Sequence, residues 1–502
     1  MGTQQEEDII ISDYPSDKNF RIYGYSSKDG RYLFLNLYNK SNKNHTVYYY
    51  DLYNLKGEIT QKLDWKPLFD KDDAFYYIFH VDNDELYIRT NKNASMEKIF
   101  KMKFSDALKG EDSWNILVDE NKNRTILSIF VVGKKYLIMD CLENVKNVFY
   151  IHDKSTGEVL QKISLEPVYT YYTFGSSESN EFFISFSNRI TPGTTYRGNL
   201  DDLDKGEKVK LEIIRQKKIK NVDLNKFVLN QIFYPSKDGT NISMFLYHKK
   251  NLKLNSNNPV LLEAYGGFSL SQLPVYATYA TLFVKNFNGI VCTVNVRGGG
   301  EYGERWHQDG MLHKKHNVFD DFIAGTEYLI EKNYTNPSKI AIAGASNGGL
   351  LMAVVSQRRP DLFGAVIIKY SVLDMLRFHK FNLGSGWISE YGDPDKKEDF
   401  DYLMTYSPLH NLKLPPRPVQ WPSILLKTGD HDDRVDPSHT LKYVARLYEI
   451  LQSAKEYQTN PILAIVTKSS GHGIIKPLSK AIADMVDVFC FMEISLNITW
   501  IE

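Results

Sequence analysis

The first 220 residues alternate between short runs of aromatic and β-branched side chains and turns rich in Asp, Asn, Gly and Lys. Such runs predict short β-strands. The strands fall into groups of three or four, which recur about every 45 residues. This spacing predicts about four blades of a β-propeller, with an array of β-sandwiches as the alternative. The predicted strands are 31–38, 46–52, 74–81, 85–90, 97–104, 125–132, 135–140, 147–152, 159–165, 181–187 and 195–200.

The charged stretch 205–226 predicts a crossing between two domains. A different pattern of residues follows it. Two runs, 228–234 and 242–248, predict an antiparallel hairpin. Short apolar runs then alternate with longer segments of helical periodicity, which predicts a mostly parallel sheet covered on both faces. The predicted strands are 260–265, 290–296, 340–343, 365–369, 424–427 and 462–466. The predicted apolar helix faces are Phe322, Ile323, Thr326, Leu329 and Ile330, and then Leu441, Val444, Ala445, Tyr448 and Leu451.

One predicted strand leads directly into the sequence G-A-S-N-G-G at 344–349, and a helix-compatible run follows it. A strand, a G-x-S-x-G motif and a helix form the context of a nucleophile elbow. Glycines two residues before and after the serine avoid collisions with the next strand and helix. The turn would expose the Ser346 hydroxyl and direct the Asn347 backbone N–H at a developing oxyanion. A Gly/Ser loop without chemistry is the alternative.

A serine nucleophile needs a histidine base and a carboxylate that fixes the tautomer of the imidazole. In this type of fold, the acid and the histidine follow the serine in the chain. An acidic loop after the strand 424–427 offers Asp430, Asp432 and Asp433, and spacing alone does not choose among them. His472, between two glycines after the last predicted strand, is the candidate base.

Two glycine-rich segments precede the elbow. The loop 264–268 follows an early strand, so a backbone N–H or the Tyr265 phenol could donate to an oxyanion. An aromatic residue at a structural turn is the alternative interpretation. The segment 297–303 contains neither a Walker lysine nor a dinucleotide fingerprint, and we therefore do not expect nucleotide binding.

Composition narrows the classes of function. Lys and Arg together number 61, as do Asp and Glu, so neither nucleic acid nor a membrane is an expected partner. The N-terminus lacks the apolar core of a signal peptide, and no apolar run reaches the length of about 20 residues that spans a membrane. Cys141, Cys292 and Cys490 lie in apolar runs without C-x-x-C spacing. We expect buried thiols and a reducing compartment.

Taken together, these segments resemble the prolyl oligopeptidases. The resemblance rests on the elbow 344–349, Y-G-G-F at 265–268, N-V-R-G-G-G-E-Y-G at 295–303, D-H-D-D-R-V at 430–435 and G-H-G at 471–473. It extends over essentially the whole chain and is most specific from residue 228 onward. That family joins an α/β-hydrolase domain to a seven-bladed β-propeller. Its members cleave short peptides after proline in the cytosol, without a metal or cofactor.

The resemblance implies a role for each candidate at the elbow. It assigns Ser346 as the nucleophile, Asp432 as the carboxylate of the triad and His472 as the base. It also implies that the Tyr265 hydroxyl and the Asn347 N–H donate hydrogen bonds to the oxyanion.

The resemblance also implies a substrate site. Arg434 would anchor a carbonyl group of the peptide. Trp387 and Tyr391, with Phe268 nearby, would form the proline pocket. A flat indole stacks well on a pyrrolidine ring, and an apolar pocket favours proline over polar side chains.

The implied domains are an incomplete β-propeller over residues 1–219 and an α/β-hydrolase domain over residues 220–502. The chain is expected to begin among the middle blades, and a partial propeller would expose a strand edge and filter substrates poorly. We expect a monomeric, cytoplasmic serine endopeptidase that acts on short proline-containing peptides through an acyl-enzyme. The alternatives are a related oligopeptidase with another specificity and a catalytically impaired interaction protein.

Overall fold

The computed structural model describes residues 4–12, 20–39, 44–55, 57–165, 169–473 and 477–502. The chain forms two compact units. The first comprises Met1–Glu166, Tyr172–Ile184 and Arg197–Glu212, and the second comprises Pro167–Tyr171, Ser185–Tyr196 and Ile213–Glu502. The predicted domain boundary between residues 219 and 220 stays a prediction.

Four sheets of four strands each lie within the first 216 residues, and the strands of each sheet are neighbours in chain order. Pairing in the first three sheets is antiparallel throughout. The first two sheets contain β1 (Phe20–Ser26), β2 (Tyr32–Asn39), β3 (His45–Asp51) and β4 (Lys66–Phe69), and then β5 (Tyr76–Asp82), β6 (Glu85–Thr90), β7 (Lys98–Lys103) and β8 (Asn115–Val118). The next two contain β9 (Thr125–Val132), β10 (Tyr136–Glu143), β11 (Lys146–Asp153) and β12 (Val159–Ser164), and then β13 (Tyr169–Ser176), β14 (Ser179–Asn188), β15 (Thr191–Asn199) and β16 (Glu212–Gln216). Two short helices, α1 (Phe104–Ala107) and α2 (Asp201–Asp204), connect strands.

Buried apolar clusters join consecutive sheets in the first unit. One cluster contains side chains of the first and second sheets, another of the second and third, and another of the third sheet and β14. Four-stranded antiparallel sheets that share cores in this way are propeller blades, as the sequence predicted. The stretch 205–226, which was predicted to be a crossing between domains, contains the last residues of the first unit and the strand β16, which was not predicted. All five residues of β16 are exposed, so its composition resembles that of a linker.

A mixed sheet of eight strands forms the centre of the second unit, in the order β17-β18-β20-β19-β21-β22-β23-β24. The first two pairings are antiparallel, and the other five are parallel. The strands are β17 (Phe227–Pro235), β18 (Asn241–Lys249), β19 (Val260–Glu263), β20 (Ile290–Val294), β21 (Ile340–Ala345), β22 (Ala365–Lys369), β23 (Ser423–Gly429) and β24 (Ile462–Thr467).

Helices pack on both faces of this sheet. Ile340 and Ile342 of β21 belong to one buried cluster, and Ala341 between them belongs to another, as the alternation of a strand requires. The helices are α3 (Thr278–Asn286), α4 (Gly303–Gln308), α5 (His316–Glu331), α6 (Asn347–Arg358), α7 (Ile388–Tyr391), α8 (Lys397–Met404), α9 (Ser438–Leu451) and α10 (Leu478–Leu496). The first cluster includes side chains of α5, α6, α8 and α9, and the second includes side chains of α3 and α10.

One predicted helical face was partly wrong, and the predicted burial of one thiol was wrong. Helix α9 buries Tyr443 and Leu447, whereas Leu441 and Tyr448 of the predicted apolar face are exposed. Apolar residues occur on both sides of α9, so spacing alone chose the wrong side. Cys490 was expected to be buried but is exposed, because α10 buries neighbouring residues on a different side of the helix.

The other two thiols, Cys141 and Cys292, are buried as predicted. Burial raises the pKa of the Cys141 thiol to about 12. Within the described ranges, none of the helices combines the length and the apolar character needed to cross a membrane.

Candidate active site

Ser346 occupies the sharp turn between β21 and α6. Its φ of 56° and ψ of −122° are unfavourable for a residue with a side chain, and such strain is concentrated at functional sites. A Cβ atom on Gly344 would lie 2.2 Å from the Gly348 carbonyl oxygen, and one on Gly348 would lie 2.7 Å from the Ala264 carbonyl oxygen. The predicted steric reason for both glycines is therefore confirmed.

Asp432 and His472 come together after two neighbouring parallel strands, β23 and β24. The Nδ1 atom of His472 lies 2.8 Å from Oδ2 and 3.1 Å from Oδ1 of Asp432, which is 2% exposed. Oδ1 also accepts hydrogen bonds from the backbone N–H groups of Arg434 and Val435. A carboxylate held in this way favours the proton on Nδ1 of the imidazole and leaves Nε2 as the proton acceptor.

The other two carboxylates of the acidic loop have different surroundings. Asp430 accepts hydrogen bonds from His431 and the Ser470 backbone, and the bond from His431 is the main cause that lowers its pKa to about 2. Asp433 is exposed. Among the described residues, Asp432 is the acid of this loop that contacts His472.

The Tyr265 phenol lies beside the Ser346 side chain. Burial raises the pKa of Tyr265, while the Ser346 side chain and the charge of Arg434 oppose the increase. The phenol therefore stays protonated near neutral pH and is able to donate. In the described part of the chain, no hydrogen bond joins Ser346 to His472. Contacts between nucleophile and base are often longer without substrate than in the reacting complex.

Asn347 links three parts of the site. Its backbone N–H is the first of α6, where no intrahelical acceptor is available, so it can donate to an anion. Its buried side chain donates to the Tyr265 carbonyl oxygen at 2.6 Å. The same side chain accepts a hydrogen bond from the Tyr391 hydroxyl at 2.9 Å.

Aromatic rings cluster beside Asn347. Tyr391 packs edge-on against Phe268, with ring centroids 5.6 Å apart, and against Phe378, with centroids 5.4 Å apart. The half-buried Trp387 ring stacks on Phe378 at 6.3 Å and an interplanar angle of 16°. Tyr391 is only 1% exposed, so it supports the other rings more than it presents a surface of its own. Phe378 was not predicted, because it lacks a local motif.

Arg434 is exposed at the edge of the acidic loop. Its charge acts on the Tyr265 phenol, so the two side chains lie in the same electrostatic environment. Among the residues that the structure describes, the guanidinium group has no hydrogen-bond or ion-pair partner. Its donors are therefore available to an acceptor on a ligand.

A buried group of charged residues was also missed by the sequence analysis. The side chains of Lys315 and Glu390 are 1% and 3% exposed, and Nζ lies 3.4 Å from Oε1. The Nε2 atom of His307 lies 2.8 Å from the other carboxylate oxygen of Glu390. Only the position of Glu390, next to the predicted pocket residue Tyr391, could have suggested it.

One group in the described ranges has the composition of a metal site. Ligand atoms of His379, Asp393 and Asp395 lie within 4.8 Å of one another. Lys380 already lies 3.2 Å from Asp395 and supplies a positive charge there. The chemistry of the elbow makes no use of this group.

The strained serine between strand and helix, on a mostly parallel sheet with an acid and a histidine after later strands, defines an α/β-hydrolase domain. Comparison with known proteins agrees. The model of the prolyl oligopeptidase family matches residues 276–499, and the model of the N-terminal β-propeller domain of prolyl oligopeptidases matches residues 1–212. The chain belongs to the prolyl oligopeptidase family.

Relatives of this chain are known in fungi, slime moulds and bacteria. A prolyl oligopeptidase of Omphalotus olearius and a prolyl endopeptidase of Dictyostelium discoideum are each 35% identical to it, over 99% of this chain and 65% of the relative. A prolyl endopeptidase of Elizabethkingia meningoseptica is 34% identical over 99% of this chain and 67% of the relative. The chain thus spans about 65% of the length of the first of these curated relatives.

Solved structures show the same similarity. Prolyl oligopeptidase B from Galerina marginata, bound to a 35mer hydrolysis and macrocyclization substrate, superposes with a TM-score of 0.90. The two are 31% identical, over 99% of this chain and 67% of the other.

Proposed function

We propose that this chain is a serine peptidase that hydrolyses short peptides on the carboxyl side of proline. The observation that carries the proposal is the strained Ser346, with the Tyr265 phenol beside it and an Asp432–His472 pair in the loops after two later strands. The names of relatives as prolyl endopeptidases support the reaction and the preference for proline.

The proposed reaction begins when Ser346 Oγ attacks the carbonyl carbon of the substrate proline residue. His472 Nε2 accepts the serine proton, and the tetrahedral oxyanion receives hydrogen bonds from the Tyr265 hydroxyl and the Asn347 N–H. The intermediate collapses as His472 protonates the leaving amine, which leaves an ester on Ser346. Water, deprotonated by His472, then hydrolyses this ester. Asp432 stays ionised and keeps the imidazole in the required tautomer.

Preference for proline is proposed to come from the aromatic cluster. Phe268 and Trp387 are half-buried, so each offers an apolar face to a pyrrolidine ring. Tyr391 packs edge-on against Phe268 and supports that ring. Arg434, with unused donors and a charge that reaches Tyr265, would bind a peptide carbonyl. Short proline-containing peptides are therefore the proposed substrates.

We also propose that the protein is a cytoplasmic monomer. Its three cysteines are free thiols, which suits a reducing compartment. The proposed steps require no metal or cofactor, because side chains and water supply every proton transfer. Light scattering during size-exclusion chromatography tests the oligomeric state.

A fluorogenic peptide with proline before the scissile bond tests the activity. We expect the chain to release the fluorophore, Ser346→Ala to abolish release, and Ser453→Ala, at an exposed serine in the same unit, to leave it unchanged. A fluorophosphonate probe should label the parent and not Ser346→Ala. Failure of the folded parent to be labelled, or full activity of Ser346→Ala, would refute the proposal. Faster cleavage of the matching arginine peptide would refute the preference for proline.

A further inference from the structure

The loop that carries Tyr265 has an unfavourable backbone conformation. Gly266 has a φ of 67°, and the following Phe268 and Ser269 have φ values of 57° and 56°. Two consecutive residues with side chains rarely adopt this left-handed region. Such a conformation persists only where surrounding contacts determine it. Contacts with neighbouring residues must therefore hold residues 265–269 in this conformation.

The buried charges of Lys315 and Glu390 contact this loop from both sides of Gly267. Lys315 Nζ donates a hydrogen bond to the Gly266 carbonyl oxygen at 2.9 Å. The Phe268 backbone lies close enough to the Glu390 carboxylate to help lower its pKa. A Cβ atom on Gly267 would lie 3.0 Å from Glu390 Oε1, so the carboxylate packs directly against the chain.

The charges themselves are fixed in place. Burial works against ionisation of Glu390, but the charge of Lys315 and the hydrogen bond from His307 hold its pKa below the ordinary value. Hydrogen bonds from His307 to Glu304 and Glu390 outweigh burial and raise the pKa of His307 to about 9. Buried ionised groups are tolerated only when they are paired in this way. The cluster therefore presents a lysine donor and a carboxylate acceptor at fixed points along the loop.

We propose that Lys315 and Glu390 are positioning residues of the active site, which hold the loop 265–268 so that the Tyr265 hydroxyl stays on Ser346. This inference rests on the proposed function. Neither residue touches the reacting atoms, and both act through the loop. His307 in turn fixes the carboxylate of Glu390.

A paired substitution tests this role. Lys315→Met with Glu390→Gln removes both charges and keeps the chain lengths, so no single buried charge is left without a partner. The control is Lys427→Met, which removes a lysine that is 2% exposed and pairs with Asp484 and Asp487 of α10. We expect the paired variant to lower kcat for the proline peptide by about 10-fold to 100-fold and Lys427→Met to change it less than about threefold.

A double-mutant cycle with Tyr265→Phe separates positioning from a general loss of stability. If Lys315 and Glu390 act through the Tyr265 hydroxyl, their substitution should lower kcat by less than about threefold in the Tyr265→Phe background. Equal losses in both backgrounds would overturn the inference. So would a loss in the paired variant no greater than that in the control.

Hydrogen–deuterium exchange of the intact chain provides a readout independent of turnover. The backbone amides of residues 266–269 should exchange faster in the paired variant than in the parent, while those in the middle of α6 remain unchanged. If the paired variant does not fold, Glu390→Gln alone should show the same local change to a smaller degree. Unchanged exchange at 266–269 overturns the inference whatever the activity. A parent that neither turns over peptide nor reacts with the fluorophosphonate probe refutes the proposed function instead.

Discussion

We expect Glu301 to make the stability of the second unit depend on pH. This carboxyl group is 1% exposed, and its Oε1 atom accepts hydrogen bonds from the Gln272 backbone at 2.6 Å and the Asn295 side chain at 3.3 Å. Among the described residues, its Oε2 atom has no partner. Burial raises the pKa of Glu301 from 4.5 to about 7, although the hydrogen bonds oppose the increase.

The direction of this pKa change determines whether the protein gains or loses stability as the pH rises. The folded state binds the Glu301 proton more tightly than the unfolded chain does, so protonation favours folding. This contribution is fully present below pH 4.5 and is lost as the pH rises through about 7. A pKa difference of one corresponds to about 1.4 kcal/mol, so the difference here corresponds to about 3 kcal/mol of unfolding free energy.

Glu301→Gln removes the titration and keeps an acceptor oxygen for Gln272. We expect the stability of the variant relative to the parent to increase by about 3 kcal/mol between pH 4.5 and pH 8. Any effect of the new amide hydrogens is the same at each pH and cancels in this comparison. Without the substitution, the parent should lose thermal stability over this range.

Differential scanning calorimetry at pH 5, 6, 7 and 8 measures the effect. A chain with two units need not unfold in one step. The comparison between parent and variant therefore uses the unfolding transition that Glu301→Gln shifts. Glu331→Gln, at an exposed glutamate, is the matched control and should show no trend. A difference in Tm between Glu301→Gln and the parent that is the same at pH 5 and pH 8 would refute the reasoning.

Three further predictions concern the elbow and its partners. Tyr265→Phe removes one proposed oxyanion donor and should lower kcat about 100-fold with little change in KM, and steady-state kinetics showing a change in KM alone would contradict this. Asp432→Asn should lower kcat about 10⁴-fold because an amide does not hold the required tautomer, whereas Asp430→Asn should retain most activity, and a reversed order would contradict the assignment. Gly349→Ala would place a Cβ atom 1.6 Å from Ser371 Oγ and should destabilise the protein by about 1–3 kcal/mol, which an unchanged Tm would disprove.

Regular β-patterns made much of the fold predictable. Strands β6, β9 and β22 have the predicted bounds, because each is a run of apolar and β-branched residues that ends at clear turn residues. Strand β16 was missed because exposed edge strands carry the polar side chains that linkers also carry. The face of α9 was wrong because its apolar residues surround the helix, and only the neighbouring elements decide which of them are buried.

The candidate site was also only partly predictable from the sequence. Ser346 was predictable because its glycines, strand and helix are adjacent in the sequence. The choice of Asp432 from the acidic loop required the resemblance, since it depends on contact with a histidine 40 residues away. Lys315 and Glu390 are 75 residues apart and have no motif, so only folding brings them together.

The bridging position of Asn347 has a consequence for how the proposed substrate preference could change. One amide side chain joins the Tyr265 carbonyl oxygen to the Tyr391 hydroxyl, and the backbone of the same residue begins α6 next to Ser346. A substitution that reshapes the aromatic cluster through Tyr391 therefore also disturbs the loop that would stabilise the oxyanion. A series of substitutions toward a new substrate preference would then include variants with lower activity, unless a second substitution restores the position of Asn347.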